Sequence, residues 1–275
     1  MIPGAFEYHR PDSVAEASGL LTQFGENARI LAGGHSLIPM MKLRMAAPEH
    51  LVDLRDIAEL GEVEISDNLV AIGAMVTQDR LITDAALARA VPIIREAALQ
   101  IADPQVRYVG TIGGNVANGD PGNDMPGLMQ CLGASYELVG PKGARSVAAR
   151  EFYDSAYFTA RAEDEILTRI LVPVPDNTGY AYEKQKRKIG DYATAAAAVL
   201  CGDGKASIAM TNLADTPIWS AEAGTALAAG DVEGAVSAAM AVIAPVDDMR
   251  GPVAFKNHVA QTILRRAIQR AMDRA

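Results

Sequence analysis

The stretch LAGGHSLIPMMK, residues 31–42, decides the fold prediction. The apolar residues Ile30 and Leu31 predict a strand over 28–32. Residues 37–45 predict a short helix, since proline is tolerated in a first helical turn. Glycines between a strand and a helix let an anionic group come close to the backbone. Free N–H groups beside a helix N-terminus are typical of a phosphate site.

The elements around this stretch predict a compact α/β unit of about 50 residues. Ser13 and Glu16 fit a capping box at the start of a helix that ends before Gly25. Residues 51–54 read as a further strand. The order is therefore helix, strand, glycine turn, helix and strand.

A second glycine-rich turn, TIGGN, occupies residues 111–115. Two such turns converging on one diphosphate would hold a dinucleotide, and Ser36, Thr111 and Asn115 would add side-chain donors. Neither turn is a GxGxxG motif or a P-loop. Two tight turns without a ligand therefore remain an open alternative.

The rest of the chain predicts a mixed middle and a C-terminal part of strands followed by helices. The middle is predicted to have a hairpin over 63–72, helices over 77–82, 92–101 and 125–132, and strands over 134–139 and 165–172. Residues 173–179 predict a boundary. Residues 193–200 could be a helix, but the turn Gly202-Asp203-Gly204 and the alternation over 206–213 favour two strands. Helices are predicted over 220–229, 232–243 and 255–272.

The sequence shows no obvious acid–base or metal machinery. Asp120 and Asp124 flank a turn, and Asp124 is predicted to cap the next helix, although a contact to a ligand is the alternative. No pair of the four histidines has metal-ligand spacing, and the cysteines, Cys131 and Cys201, are far apart. A protein that binds a cofactor and leaves the chemistry to it would have such a sequence.

Composition limits the function classes. The chain has 275 residues, 49% of them hydrophobic, and a net charge of −9. This charge disfavours nucleic-acid binding, because the only dense basic run, 184–188, is short. No segment reaches about 18 apolar residues, so no membrane span is predicted. The start lacks the apolar core of a signal peptide, and a cytoplasmic protein is expected.

Together these motifs resemble the FAD-binding medium subunits of molybdenum hydroxylases, the family of aerobic carbon monoxide dehydrogenase and xanthine dehydrogenase. The resemblance covers essentially the whole chain. It rests on the two glycine turns with Asp120-Pro121 and Asp124, the opening FEYHRP at 6–11, and the segments KQKR at 184–187 and DYATA at 191–195.

The resemblance implies an α+β fold. An FAD-binding domain of the vanillyl-alcohol-oxidase or PCMH type would cover 1–176, with subdomains of about 1–55 and 56–176. A C-terminal domain of an antiparallel sheet with helices, like that of carbon monoxide dehydrogenase flavoproteins, would cover 177–275.

The resemblance also implies a set of FAD-binding residues. The diphosphate would be held by Ile30, Leu31, Ala32, Gly33, Gly34, His35, Ser36, Leu37, Thr111, Ile112, Gly113, Gly114 and Asn115. Asp124 would contact the ribityl or phosphate region. Ile101 and Leu167 would pack near the flavin, and Tyr192 would lie beside the isoalloxazine ring. No catalytic residue and no metal ligand is expected in this chain.

The implied function is electron transfer within an oxidoreductase. Electrons from a large subunit with the molybdopterin cofactor would pass through iron–sulfur clusters on a small subunit to FAD here, and then to an external acceptor. A dimer of heterotrimers is the expected assembly. The alternatives are a self-contained FAD oxidoreductase of the same fold and a scaffold module that has lost the flavin.

Overall fold

The computed structural model describes residues 2–176 and 179–275. The first unit is a parallel three-stranded sheet of order β1-β3-β2 with helices beside it. Its elements are β1 (Glu7–His9), α1 (Val14–Phe24), β2 (Ala28–Leu31), α2 (Leu37–Lys42) and β3 (His50–Asp53). The order predicted for this unit is confirmed. The Ser13 side chain accepts from the Glu16 N–H, while the Glu16 carboxylate accepts from the N–H of Asp12 rather than from that of Ser13.

The middle of the chain is a five-stranded antiparallel sheet, of order β4-β5-β10-β6-β7, with helices between its strands. Its elements are β4 (Val63–Ile65), β5 (Leu69–Gly73), α3 (Gln78–Thr83), α4 (Ala85–Ala90), α5 (Pro92–Ala98), α6 (Pro104–Val109), α7 (Ile112–Ala117), α8 (Asp124–Leu132), β6 (Ser135–Gly140), β7 (Gly143–Ala148), β8 (Tyr153–Ser155), β9 (Phe158–Thr159) and β10 (Ile166–Pro173). Every residue of α8 is buried, so this helix lies at the centre of the molecule.

The C-terminal part is a four-stranded antiparallel sheet covered by helices on one face. It contains β11 (Gly179–Gln185), β12 (Ala195–Gly202), β13 (Lys205–Thr211), β14 (Ile218–Trp219), α9 (Ala221–Ala228), α10 (Val232–Ala241) and α11 (Val253–Met272). The alanine-rich segment is a central strand, as predicted, because it pairs with β11 on one side and β13 on the other. Together these layers confirm the predicted α+β class.

The main hydrophobic core joins the middle and the C-terminal part. Ile72 and Leu128 belong to the same buried cluster as Ala196 and Ala209. One face of the C-terminal sheet therefore packs on α8, while α9 and α11 cover its other face and α10 packs on these two helices. The predicted domain boundary between residues 176 and 177 falls at the edge of the described residues, since 177 and 178 lie outside them.

Several predicted elements differ from those observed. The helix predicted over 37–45 ends at Lys42, and the helix predicted over 92–101 ends at Ala98. Asp124 is the first residue of α8 rather than its cap, and its carboxylate bonds to distant side chains instead. Strand β11, whose last two residues begin the basic run, was not predicted, because its polar residues do not show a buried pattern.

Candidate functional site

The two glycine-rich segments lie side by side. A Cβ atom added at Gly33 would meet the carbonyl oxygen of Val109 at 2.4 Å and the Cα of Gly110 at 2.7 Å. A Cβ added at Gly114 would lie 3.5 Å from that of Ala32. Glycine is required at position 33 because the backbone of one segment touches the backbone of the other. Two segments about 80 residues apart in the sequence thus form one wall.

This wall borders a cavity of about 460 Å³. That volume is typical of a site for a small molecule or cofactor. Residues 30–37, Ile101, Thr111, Gly113, Gly114, Asn115, Asp124, Leu167 and Tyr192 line it. Of the predicted site residues, Ile112 alone is not among the lining residues, since its side chain is fully buried in the main core.

The first glycine segment offers backbone donors to the cavity. Within the described chain, the N–H groups of Gly33, Gly34, His35 and Ser36 donate to no protein acceptor. Gly34 has a φ of +72°, a backbone conformation that residues with a side chain rarely adopt, so the turn itself requires a glycine there. Successive free N–H groups of this kind form a nest that suits phosphate oxygens.

The second glycine segment is different, and the expectation that it also offers backbone donors is wrong. The N–H groups of Ile112 and Gly113 donate to the carbonyl oxygens of Val76 and Ala74, and that of Gly114 donates to Oγ1 of Thr111. The segment begins helix α7, which the sequence did not predict. This segment lets a ligand come close to the backbone, because Gly113 and Gly114 have no side chains. The Thr111 hydroxyl and the Asn115 amide lie on either side of the two glycines.

Sequence reasoning missed several polar residues of the cavity. Arg29, Arg161 and Lys184 add three cationic side chains to the lining. Burial lowers the pKa of the Arg161 guanidinium, and nearby Arg29 lowers it further. Lys184 is paired with Asp124, so Arg29 and Arg161 are the cations of this group that favour an anionic ligand.

Gln78 is a further polar residue that the sequence did not indicate. It lines the cavity, is 2% exposed, and its Oε1 atom has no hydrogen-bond partner. Its Nε2 donates to the Thr111 carbonyl oxygen at 3.4 Å. A buried acceptor of this kind is normally satisfied, so a ligand hydroxyl or amino group would suit it.

Asp124 lies in a buried polar network in the wall of the cavity. Its Oδ1 accepts from the Tyr182 hydroxyl at 2.5 Å, and its Oδ2 lies 2.8 Å from Nζ of Lys184. Burial raises the pKa of the Asp124 carboxyl, while Lys184 and the Tyr182 hydrogen bond oppose that rise. Because Lys184 comes from β11, this network fixes the C-terminal part against α8.

Tyr192 reaches the cavity from the loop before β12. It is 40% exposed, and burial of the rest raises the pKa of its hydroxyl, with Ser36 as an opposing partner. Tyr192 therefore lies next to Ser36 of the first glycine segment. A flat, half-exposed aromatic ring at the mouth of a cavity is suited to stack on a planar ligand.

Strand pairing also brings together residues that the sequence kept apart. Glu7 and His9 lie on β1, and His50 lies on the neighbouring β3, with one ligand atom from each within 4.8 Å of the others. Spacing along the sequence did not indicate this cluster, because its members come from two strands that are about 40 residues apart. These residues do not line the cofactor cavity.

The free N–H groups of residues 33–36, the cationic side chains and the further polar groups that line the cavity fit a cofactor with a diphosphate. The ring of Tyr192 fits a planar ring in that cofactor. The fold and the site thus define a dinucleotide-cofactor protein of the α+β class.

Comparison with known proteins identifies the family. Residues 4–175 match the model described as the FAD binding domain in molybdopterin dehydrogenase, and residues 180–271 match the CO dehydrogenase flavoprotein C-terminal domain. The chain belongs to the family of FAD-binding medium subunits of molybdenum hydroxylases. This confirms the resemblance, the PCMH-type fold and FAD as the cofactor.

Individual relatives span the whole chain. The chain is 60% identical to the carbon monoxide dehydrogenase medium chain of Afipia carboxidovorans, with 100% of this chain and 99% of the relative covered. It is 44% identical to the corresponding chain of Hydrogenophaga pseudoflava, with the same coverage. A crystal structure of the cyanide-inactivated Cu,Mo-CO dehydrogenase matches with a TM-score of 0.97, 59% identity and full coverage of both chains.

Proposed function

We propose that the cavity between the two glycine segments holds FAD, and that the chain conducts electrons within a carbon monoxide-oxidising complex. The observation that carries this proposal is the backbone contact between Gly33 and residues 109–110, which places a free amide nest and the glycines at 113 and 114 on one cavity. The 60% identity to a carbon monoxide dehydrogenase medium chain supports carbon monoxide as the substrate of the complex.

The residues of the chain would bind and orient the cofactor. The N–H groups of residues 33–36 would donate to the diphosphate, with Arg29 and Arg161 adding positive charge. The glycines at 113 and 114 would leave room for the same group, and the Thr111 hydroxyl and Asn115 amide would donate to it. Gln78 Oε1 would accept from a hydroxyl or amino group of the cofactor.

The flavin end would lie between apolar side chains and an aromatic ring. Ile101 and Leu167 are nearly fully buried and would exclude water from one side. Tyr192 would cover the ring from the other. FAD supplies the redox chemistry when bound, since it exchanges both one and two electrons. The side chains of the chain would set its position and surroundings, and no proton transfer is assigned to them.

The partners follow from the family. We propose a molybdenum-containing large subunit and an iron–sulfur small subunit, arranged as a dimer of heterotrimers in the cytoplasm. Medium chains and subunits among the relatives support a subunit rather than the self-contained oxidoreductase considered from the sequence. Within the described residues, no helix has the length and hydropathy needed to cross a membrane.

We also propose the division into an FAD-binding domain over 1–176, with subdomains of about 1–55 and 56–176, and a C-terminal domain over 177–275. Separate sheets on the two sides of residue 176 support this division. The shared core and the Asp124–Lys184 pair make the two domains pack as one body.

The proposal is tested on the complex purified with its native partners. We expect a flavin absorption spectrum that bleaches when carbon monoxide is added. The isolated medium chain loaded with FAD is expected not to bleach, because its electrons would come from the partners. Bleaching of the isolated chain by a substrate of its own would support the self-contained oxidoreductase instead.

A substitution tests the location of the cofactor. Gly114→Val places a side chain next to Ala32 in the wall of the cavity. It is expected to abolish flavin binding while circular dichroism still shows a folded chain. Gly61→Val is the matched control, because nothing lies within 4 Å of a Cβ added there. Unchanged flavin content in folded Gly114→Val would contradict the assignment of this cavity.

A further inference from the structure

Two histidines and a glutamate meet on the first sheet, outside the cofactor cavity. Nε2 of His9 lies 3.1 Å from Nδ1 of His50. The Glu7 carboxylate oxygen Oε2 lies 3.5 Å from the same atom of His50 and 4.0 Å from that of His9. Three atoms that can each bind a metal therefore form a small triangle.

These distances suit tetrahedral coordination. Zinc–nitrogen bonds of about 2.0–2.1 Å place neighbouring ligand atoms of a tetrahedral site roughly 3.3 Å apart. The 3.1 Å and 3.5 Å separations already match this edge, and only the Glu7 oxygen and His9 nitrogen need to come closer. Glu7 can supply that movement, because its side chain is 73% exposed.

The backbone holds the two imidazoles in place. β1 and β3 are parallel neighbours in which Glu7 is paired with His50, and the Glu7 N–H donates to the Glu49 carbonyl oxygen at 2.7 Å. Glu7 and His9 are two residues apart and so project from the same face of the strand. The ring of Phe24 stacks on His50, with centroids 3.7 Å apart.

The histidines are also sheltered, which strengthens binding. Their side chains are 22% and 15% exposed, so a bound cation would be largely shielded by Phe24 and the sheet, with one side open to water through Glu7. Two neutral imidazoles and a carboxylate are ligands that zinc prefers, and three protein ligands leave a fourth position for water.

We propose that Glu7, His9 and His50 form a binding site for a divalent zinc-like metal ion that fastens β1 to β3. The ion would replace the hydrogen bond between the two imidazoles, with the proton of each neutral ring on its other nitrogen. The site is separate from the cofactor cavity, so its occupancy is expected to leave flavin binding unchanged.

The test uses the full FAD-loaded chain, stripped of metal with a chelator and equilibrated with zinc chloride. We expect one zinc per chain by elemental analysis and a rise in the melting temperature, because a ligand that binds the native state stabilises it. His50→Gln and His9→Gln are each expected to weaken zinc binding by at least about 100-fold, since even outer-shell changes cost 10–100-fold. Glu7→Gln is expected to weaken it less.

His258→Gln is the matched control, because His258 is exposed on α11 and has no part in the cluster. It is expected to bind zinc like the wild type, and all variants are expected to keep their flavin. Wild-type protein that binds no zinc at micromolar concentrations would overturn the proposal. Full zinc binding by folded His50→Gln and His9→Gln would overturn it as well.

Discussion

Gly33→Ala tests the contact on which the whole site depends. The new methyl group would lie 2.4 Å from the Val109 carbonyl oxygen and 2.7 Å from Gly110 Cα. An unstrained contact needs about 3.5 Å, so the two segments would have to separate by roughly 1 Å. Gly33 is not among the residues with positive φ, so the effect comes from packing and not from backbone strain.

The expected cost falls on cofactor binding. We expect the two segments of the variant to lie further apart without FAD, and closing them around the diphosphate would restore the clash. Overpacking of this kind costs about 1–3 kcal/mol. Since 1.4 kcal/mol is tenfold in affinity, FAD should bind about 5- to 150-fold more weakly.

The assay is titration of flavin-depleted protein with FAD, followed by the change in flavin fluorescence. Gly61→Ala adds the same methyl group in open space and should bind like the wild type. Thermal unfolding of both apoproteins checks that they fold. If Gly33→Ala folds and binds FAD with wild-type affinity, the two segments do not both contact one cofactor, and the assignment of this cavity to FAD is refuted.

Two further substitutions test the packing behind the site and at the surface. Lys184→Met leaves the buried Asp124 carboxylate without its cation and should lower the free energy of unfolding by about 3–5 kcal/mol in urea titrations. Adding Asp124→Asn should recover part of this loss, and no recovery would argue against the ion pair as the cause. Arg145 holds the pKa of Glu165 below its ordinary value through hydrogen bonds of 2.6 and 2.7 Å. The stability from this pair is therefore present above about pH 4.5 and is lost as the pH falls through the lower folded value. Arg145→Gln should be up to about 1 kcal/mol less stable at neutral pH, and this difference from the wild type should shrink in acid; a constant difference in thermal melts would contradict it.

Short-range patterns carried most of the prediction of secondary structure. Ser13 caps α1 as predicted, and Thr77 caps α3 in the same way, because a cap depends on residues three positions away. The turn at 202–204 distinguished a strand from a helix in the alanine-rich segment, since a hairpin turn joins two strands.

Strand β11 and two short helices were not predicted from the sequence. β11 carries Tyr, Glu, Lys and Gln and has no apolar run, yet the Lys184 side chain is 1% exposed. Its burial depends on Asp124, 60 residues earlier, which neutralises it. Helices α6 and α7 were missed because each has six residues and glycine lies beside or within them.

The sequence by itself determined the local elements, the two glycine turns and, through their motifs, the family and its cofactor. The tertiary structure alone decided that the N–H groups of the first turn are free, while two N–H groups of the second turn donate to the carbonyl oxygens of Ala74 and Val76. It alone placed Gln78 and Arg161 in the cavity and joined His9 to His50. The physical reason is range: caps and turns depend on neighbours within a few residues, whereas these contacts join residues 30 or more positions apart and exist once the sheets have paired and packed.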